Sequence, residues 1–362
     1  MRICLSYYED VNNPWRRGGG SLTMWEVGRK LAKRGHSIMF VTGNYPNAKS
    51  AGDGIRYFRL GSAKSYKSSV NSYYLTYPIF MKRIEKEFDI LLEGWTSPFP
   101  FIPLLIKKPV VAWIHILNGI NLFETLGAMG IPNYFSEKTF TVFYQSFILY
   151  SPNYIKLGKS KNVLVCPPAF ESRLLDVRRE EEPYILFMGR LAAGGLFQKG
   201  LDMLFPCFVQ LKRLFPNLRL VIAGNGDFQA LASAKRLSRG IEGVEFVGHV
   251  QGVTKIEFLR KCLLVCMPSR FESAGIVALE AQACGKPVIG FDIPGLNFIV
   301  RNHETAILVP PFDLKQLTEG MRFMIDNPLM RRQFGDNGRK WAMNFTWEKA
   351  TEMIDSFLTT LV

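Results

Sequence analysis

The sequence predicts an α/β protein built from open, parallel, Rossmann-like sheets, and three observations predict it. Short apolar runs recur along the chain, at Met1 to Tyr7, His36 to Thr42, Val110 to His115, Tyr184 to Met188 and Leu218 to Ala223, and helical patterns fall between several of them. Residues 263–291 spell out one complete unit. Leu263-Leu264-Val265-Cys266-Met267 reads as a buried strand, a helical pattern begins at Ser273, Gly285-Lys286-Pro287 stops it, and Val288-Ile289-Gly290-Phe291 is the next strand. Finally, 362 residues with 48% hydrophobic content are enough for two domains, each with its own core.

Taken in order, the first strand leads into a loop holding Asn12 to Arg17 and then Gly18-Gly19-Gly20. Ser21 is placed to cap a helix with apolar positions Leu22, Trp25, Val27 and Leu31, ended by Gly35. The opening lacks the G-x-G-x-x-G fingerprint of dinucleotide sites. Its glycines either let a ligand approach the backbone or form a plain turn. Residues 43–80 read as polar loop with an aromatic and basic patch (Lys64, Tyr66, Lys67, Tyr73, Tyr74, Tyr77). Phe88 to Glu93 is a strand. His115 closes the strand from Val110, at the end where open sheets place ligand-binding residues. The aromatics of residues 120–150 read as core, with a lipid-touching surface as the alternative. Val163-Leu164-Val165 is the last strand before a linker that Glu180-Glu181-Glu182-Pro183 completes.

In the second half, Gly189-Arg190 follows a strand, and Lys199-Gly200 opens a helix running to about Leu214. A basic pair flanking a strand-to-helix loop can hold a diphosphate; solvated surface charge is the plainer reading. Gly224-Asn225-Gly226 is a turn and not a dinucleotide motif, because Gln229 replaces the third glycine. Further on, the helix expected from Ser273 presents unpaired N–H groups and partial positive charge to an anion. Ser273, Ala274 and Gly275 are small enough for close approach. Glu272 stands just before that end, and Glu280 is expected about two turns inside. Alone, Glu272 fits a Ser269-x-x-Glu272 capping box and Glu280 a solvated helix position. Together, phosphate at the helix start with a carboxylate on either side suits a nucleotide diphosphate carrying a sugar.

The run Glu272-Ser273-Ala274-Gly275-Ile276-Val277-Ala278-Leu279-Glu280 resembles the Glu–seven residues–Glu motif of glycosyltransferase family 4, retaining enzymes of the GT-B fold. Gly285-Lys286-Pro287-Val288-Ile289 and Ala306-Ile307-Leu308-Val309-Pro310-Pro311 are similar to further signatures of that family. The resemblance is strong over 184–345 and weaker over the first 165 residues. It implies two Rossmann-like domains facing across a cleft: an acceptor domain at 1–167, a nucleotide-sugar domain at 168–345, and a helix at 346–362 crossing back to the first. It also implies roles. Glu272 contacts the donor sugar near the reacting carbon and Glu280 binds the ribose hydroxyls. Arg190 and Lys199 take the leaving phosphates, and His115 and a glycine-rich loop at Gly19 and Gly20 face the donor. Gly224, Val250, Ser273, Ala274, Gly275 and Ile276 complete the nucleotide-sugar site. Phe298, in Pro294-Gly295-Leu296-Asn297-Phe298, stands where the family has an acid.

Lys and Arg number 45 against 31 Asp and Glu, a net +14, and residues 1–165 hold +11 of it. That asymmetry points to an anionic partner, here an anionic membrane surface beside a glycan or lipid-linked acceptor. No Asp-x-Asp triplet or zinc pattern occurs, so neither metal nor cofactor is expected beyond the UDP- or GDP-sugar itself. Six cysteines, most of them inside apolar runs, with no signal peptide and no membrane span, suit a cytoplasmic protein, peripheral at most to the inner face of the membrane. Two other classes compete. An inverting GT-B enzyme shares the fold, and a nucleotide- or nucleic-acid-binding protein would explain the charge, although no nucleic-acid reader motif appears.

Overall fold

A computed structural model of the chain describes residues 1–15, 18–95, 101–115, 130–150, 161–191, 195–224, 226, 228–272 and 274–362. The chain divides into two compact units. Unit 1 comprises Met1–Pro168 with Trp347–Val362, and unit 2 is Ala169–Thr346.

Unit 1 is built on an eight-stranded sheet: β1 (Arg2–Ser6), β2 (Ser37–Gly43), β3 (Ala51–Gly52), β4 (Ile55–Leu60), β5 (Ile90–Trp95), β6 (Val110–Ile114), β7 (Ser146–Leu149) and β8 (Asn162–Val165). Their order is β3-β4-β2-β1-β5-β6-β7-β8, and only the β3–β4 pair is antiparallel. Ile3, Cys4 and Leu5 of β1 and Ile90, Leu91 and Leu92 of β5 have no exposed surface, because helices cover both faces of a parallel sheet. The sheet grows from β1 through β2 to β4 in one direction and from β5 to β8 in the other. The reversal therefore lies between β1 and β5, where Ser6 is the register partner of Glu93.

Two helices of this unit depart from the sequence expectation. The first runs Gly19–Lys33 with Gly18 as its N-cap, so Gly19 and Gly20 lie in its opening turn and not in a loop. Ser21 is not the cap. It is the third helical residue, and its hydroxyl accepts the Gly18 N–H at 3.0 Å. Position 20 requires glycine: a Cβ there would lie 2.5 Å from Tyr7 Oη and 3.3 Å from the His115 ring. Residues 43–80 are not loop. They contain β3, β4 and much of a helix, Tyr66–Arg83, capped by the Ser65 hydroxyl and burying Ser69, Tyr73, Tyr77 and Met81 at intervals of four. Its tyrosines and serines hid that stripe from a hydropathy reading. Among the aromatics of 120–150, Tyr144, Phe147 and Tyr150 are buried and Phe135 is exposed; Phe123 lies outside the described residues. The final helix, Trp347–Thr359, packs against Gly19–Lys33, with Lys30–Glu348 at 2.5 Å, Arg34–Asp355 at 2.7 Å and His36–Asp355 at 2.8 Å.

Unit 2 holds a six-stranded, wholly parallel sheet: β9 (Tyr184–Met188), β10 (Arg219–Ala223), β11 (Val244–Gly248), β12 (Leu264–Met267), β13 (Val288–Phe291) and β14 (Ala306–Val309). Its order is β11-β10-β9-β12-β13-β14, so this sheet reverses between β9 and β12. The helix Leu201–Leu214 buries Leu201, Leu204, Cys207, Phe208 and Leu211 against it, spaced three and four apart. Burying one such phenylalanine is worth about 2–3 kcal/mol. All six cysteines are buried and unpaired.

Candidate active site

In an open parallel sheet, connections leave two neighbouring strands in opposite directions at the reversal and open a crevice at their carboxyl ends. In unit 2 those strands are β9 and β12. The chain leaving β12 carries Glu272, and the segment after β9 carries Arg190, Lys199 and Gly200.

Two glycines bring these segments together. Gly200 has φ of +71°, and a Cβ there would lie 1.8 Å from the Pro268 carbonyl oxygen. Only glycine both adopts that conformation and permits that approach. Gly224, after β10, is equally close to the Gly189 carbonyl. Arg270 then fastens the join. Its backbone N–H donates to the Gln198 carbonyl at 2.8 Å, its guanidinium makes two 2.9 Å bonds to Asp202, and it stacks on Phe197 at 3.6 Å.

Lys199 is thereby aimed at the acid: its Nζ lies 2.6 Å from Glu272 Oε1, and Ser269 Oγ donates to the same oxygen at 2.9 Å. The Ser269–Glu272 pair is thus a contact within a loop and not a capping box, since no helix starts there. Glu272 is 5% exposed. A carboxylate this deep requires a partner, and the lysine supplies one.

The helix expected from Ser273 begins three residues later, at Ile276, and runs to Ala283. Gly275, its N-cap, is left-handed with φ of +54°, so helical geometry starts only after it. Ile299 and the Gly295 carbonyl pack against Gly275. Glu280 is consequently one turn into the helix and not two. It is 6% exposed, which removes the solvated alternative, and Lys255 Nζ lies 2.5 Å from its Oε1. Lys255 escaped the sequence reading. It sits on the helix Gly252–Lys261, just past the Gly248-His249-Val250 segment that drew attention, but nothing in the spacing links it to a glutamate 25 residues away.

Arg190 is exposed and makes no hydrogen bond or ion pair among the described residues; Gly189 beside it would place a Cβ 3.4 Å from the Lys199 stem. Ala274 and Gly275 are buried, Ile276 is half-buried, and Ser273 lies outside the described residues. Val250 turns its side chain into the core, and Phe298 packs on that core from its edge.

In unit 1, His115 lies just past the end of β6. It is 5% exposed, with Nδ1 2.8 Å from Tyr150 Oη and Nε2 without a hydrogen-bond partner among the described residues. Burial pulls its pKa down to about 3, so the ring is neutral at physiological pH. Tyr7 meets it edge-on at 5.1 Å, and Trp113 stacks on it at 5.2 Å.

Two parallel-sheet units, each with a reversal of strand order, define the GT-B class. Over 100% of the chain the fold superposes on sucrose-phosphate synthase from Thermosynechococcus elongatus, covering 99% of that chain with a TM-score of 0.83 at 21% identity. Anabaena HepE, crystallised with UDP and glucose, superposes over 100% of both chains with a TM-score of 0.76 at 15% identity. Residues 176–341, which hold the Lys199–Glu272 and Lys255–Glu280 pairs, match the family described as Glycosyl transferases group 1. Alpha-D-kanosaminyltransferase of Streptomyces kanamyceticus is 28% identical over 179 residues, 46% of this chain and 44% of that protein. The chain thus spans about half the length of such curated relatives. An uncharacterised glycosyltransferase of Haemophilus influenzae is 22% identical over 94% of this chain and 96% of its own length.

Proposed function

We propose that the protein is a retaining glycosyltransferase. It moves a sugar from a UDP- or GDP-sugar to a hydroxyl of a glycan or lipid-linked acceptor, without a metal ion, in the building of a cell-envelope polysaccharide, a glycolipid or a protein glycan. The observation that carries this reading is the pair of buried glutamates, each held by a lysine, on either side of a helix N-terminus at the strand reversal of unit 2. The match of residues 176–341 to Glycosyl transferases group 1 supports it, and so does likeness to a protein crystallised with UDP and glucose.

Departure of the diphosphate develops negative charge that fixed donors must stabilise. Lys199, Arg190 and the N–H groups opening the helix Ile276–Ala283 supply positive charge without a metal. The incoming diphosphate competes with Glu272 for Lys199, which frees the Glu272 carboxylate to accept a hydroxyl of the donor sugar. Glu280 accepts the two ribose hydroxyls, with Lys255 fixing its rotamer. In unit 1, the Nε2 of His115 offers a hydrogen bond to a sugar hydroxyl. The acceptor hydroxyl enters on the face the diphosphate leaves, and the departing phosphate takes its proton.

A thermal-shift panel of UDP, GDP, ADP and their sugars tests the donor assignment. A true ligand at 100 times its dissociation constant adds about 2.7 kcal/mol of stability. No shift with any nucleotide defeats the reading. NMR of the product's anomeric centre tests retention; an inverted centre transfers the assignment to the inverting class.

A further inference from the structure

The two faces of the unit 1 sheet are covered differently. Gly19–Lys33 lies on one, where Gly28 comes close to Leu5 and Ile38, and Trp347–Thr359 packs on that helix. Of the large apolar side chains on these two helices, one is exposed among the described residues, Met353. The other face carries Tyr66–Arg83 and two further helices, Ile102–Leu105 and Gly130–Phe143. Tyr73, Tyr77, Ile102 and Ile106 share one core cluster with Cys4 and Met39, and Phe143 packs against it. Cys4 and Met39 point away from Leu5 and Ile38, as successive strand residues do.

Tyr66–Arg83 shows two stripes, each repeating every four residues. They are offset by two positions, which is about 200° around a helix, so they lie on opposite sides. The buried stripe is Ser69, Tyr73, Tyr77 and Met81. The exposed one is Lys67, Asn71, Leu75, Ile79 and Arg83, aliphatic in the middle and basic at both ends. Leu75 is 73% exposed and Ile79 75%. Ile102–Leu105 touches this helix, with Leu104 and Leu105 exposed and exposed Lys107 following. Phe101 meets Phe143 edge-on at 5.3 Å, which joins the third helix, where exposed Phe135 and Val142 are seven apart and share a side.

Acids are sparse here. None occurs between Asp53 and Glu85 or between Glu93 and Glu124, while residues 54–84 hold six Lys and Arg. Glu85 is engaged by Lys82 at 2.7 Å and by the Lys107 N–H, and the one acid of Gly130–Phe143, Glu137, is half-buried.

Charge separates the candidate occupants of this face. A second copy would set one basic surface against another. A nucleic acid would satisfy the cations but lay Leu75, Ile79, Leu104 and Val142 against a phosphate backbone, which gains nothing from aliphatic side chains. A bilayer with anionic headgroups meets both needs: aliphatic side chains enter the acyl boundary, and long basic ones reach phosphate. We propose that the face of unit 1 formed by Tyr66–Arg83, Ile102–Leu105 and Gly130–Phe143 lies on an anionic lipid surface, with Leu75 and Ile79 inserted and Lys67 and Arg83 at the headgroups. The contact itself does not depend on the transferase reading; only its preference for a lipid-linked over a soluble acceptor rests on that reading.

Flotation of the full chain with vesicles tests it, using phosphatidylcholine alone and phosphatidylcholine mixed with phosphatidylglycerol, at low and high salt. The mixed vesicles carry the protein at low salt and lose much of it at high salt, and the neutral ones carry little. Leu75→Ser combined with Ile79→Ser, both at exposed positions, lowers the partition coefficient at least about tenfold while the thermal melt stays that of the parent. Lys67→Gln lowers it about fivefold, the scale of one charge beside an anionic surface. Met353→Ser, on the opposite face, leaves it unchanged. Equal partitioning onto both kinds of vesicle, none onto either, or partitioning unmoved by the Leu75 and Ile79 pair overturns the surface. Sedimentation that shows dimers dissociated by that pair assigns the face to a second copy and overturns it as well. Vesicle binding without nucleotide binding in the thermal-shift panel keeps this surface and defeats the transferase reading, and nucleotide binding without vesicle binding does the reverse.

Discussion

Unit 1 and unit 2 each sink a carboxyl where their sheets reverse direction, and they satisfy it by opposite means. In unit 2, Glu272 meets the ammonium of Lys199 at 2.6 Å. In unit 1, the side-chain partners of Glu93 among the described residues are the phenols of Tyr77 and Tyr144. The ammonium is a movable charge that an anionic ligand can claim, so unit 2 is prepared for exchange. The phenols hold the Glu93 carboxyl without cancelling its charge, so unit 1 carries a group whose ionisation is itself unsettled at neutral pH. One geometry, the strand reversal, thus holds its buried acid by an ion pair or by neutral hydrogen bonds according to whether lysine or tyrosine reaches it.

Removing the charge from unit 2 breaks this contrast most severely. Lys199→Ala leaves Glu272 buried without its cation and, on the proposed mechanism, takes away a donor to the leaving phosphates, and we expect kcat to fall about 10²–10³-fold in a steady-state transfer assay. An activity within a few-fold of the parent would reduce the lysine to a structural role. In unit 1 the corresponding change acts on stability. The folded carboxyl titrates near 7 against an ordinary 4.5. The folded state therefore holds an extra proton between those values, and its stability contribution, full below about 4.5, is lost as pH rises through 7. The loss reaches about 3 kcal/mol at alkaline pH. Glu93→Gln is neutral throughout, so urea melts at pH 5 and pH 8 should differ less than in the parent by about that amount. Parallel pH profiles for variant and parent would show that Glu93 ionises normally. The smallest effect lies away from both reversals. Asp355→Ala removes pairs to Arg34 and His36 at the edge of the final helix, and about 0.5–1 kcal/mol in a thermal melt is expected, decreasing with salt.

The acid of unit 2 was easier to read in the sequence than that of unit 1. Glu272 and Glu280 stand in one short motif bounded by Pro268 and Gly285, with small residues between them, so local spacing marks them. Their lysines are a different matter. Lys199 drew notice only because it opens a helix after a strand, and Lys255 drew none, because both pairings are made by tertiary packing. Glu93 had the same local signature as His115, a polar residue closing an apolar strand, yet only the histidine was given a role. The strands were legible wherever they were buried on both faces. The β3–β4 hairpin and the helix Tyr66–Arg83 were not, because serines and tyrosines on the buried side of that helix blunt its apolar stripe. Helix starts shifted by two or three residues wherever glycines set the geometry, at Gly18 and Gly275, since a left-handed or unsubstituted backbone position is a conformational fact that hydropathy does not carry.

The return of Trp347–Thr359 to unit 1 orders events on the ribosome. Everything that unit 2 needs has been translated before the last piece of unit 1 appears, so the nascent chain can complete its second half while its first half still lacks a helix. Until then the helix Gly19–Lys33 shows the growing polypeptide's surroundings a face it later hides. That interval is when unit 1 is most open to chaperones and to proteases, and a frameshift or stop codon shortly before residue 347 would damage unit 1, although the rest of it is encoded far upstream.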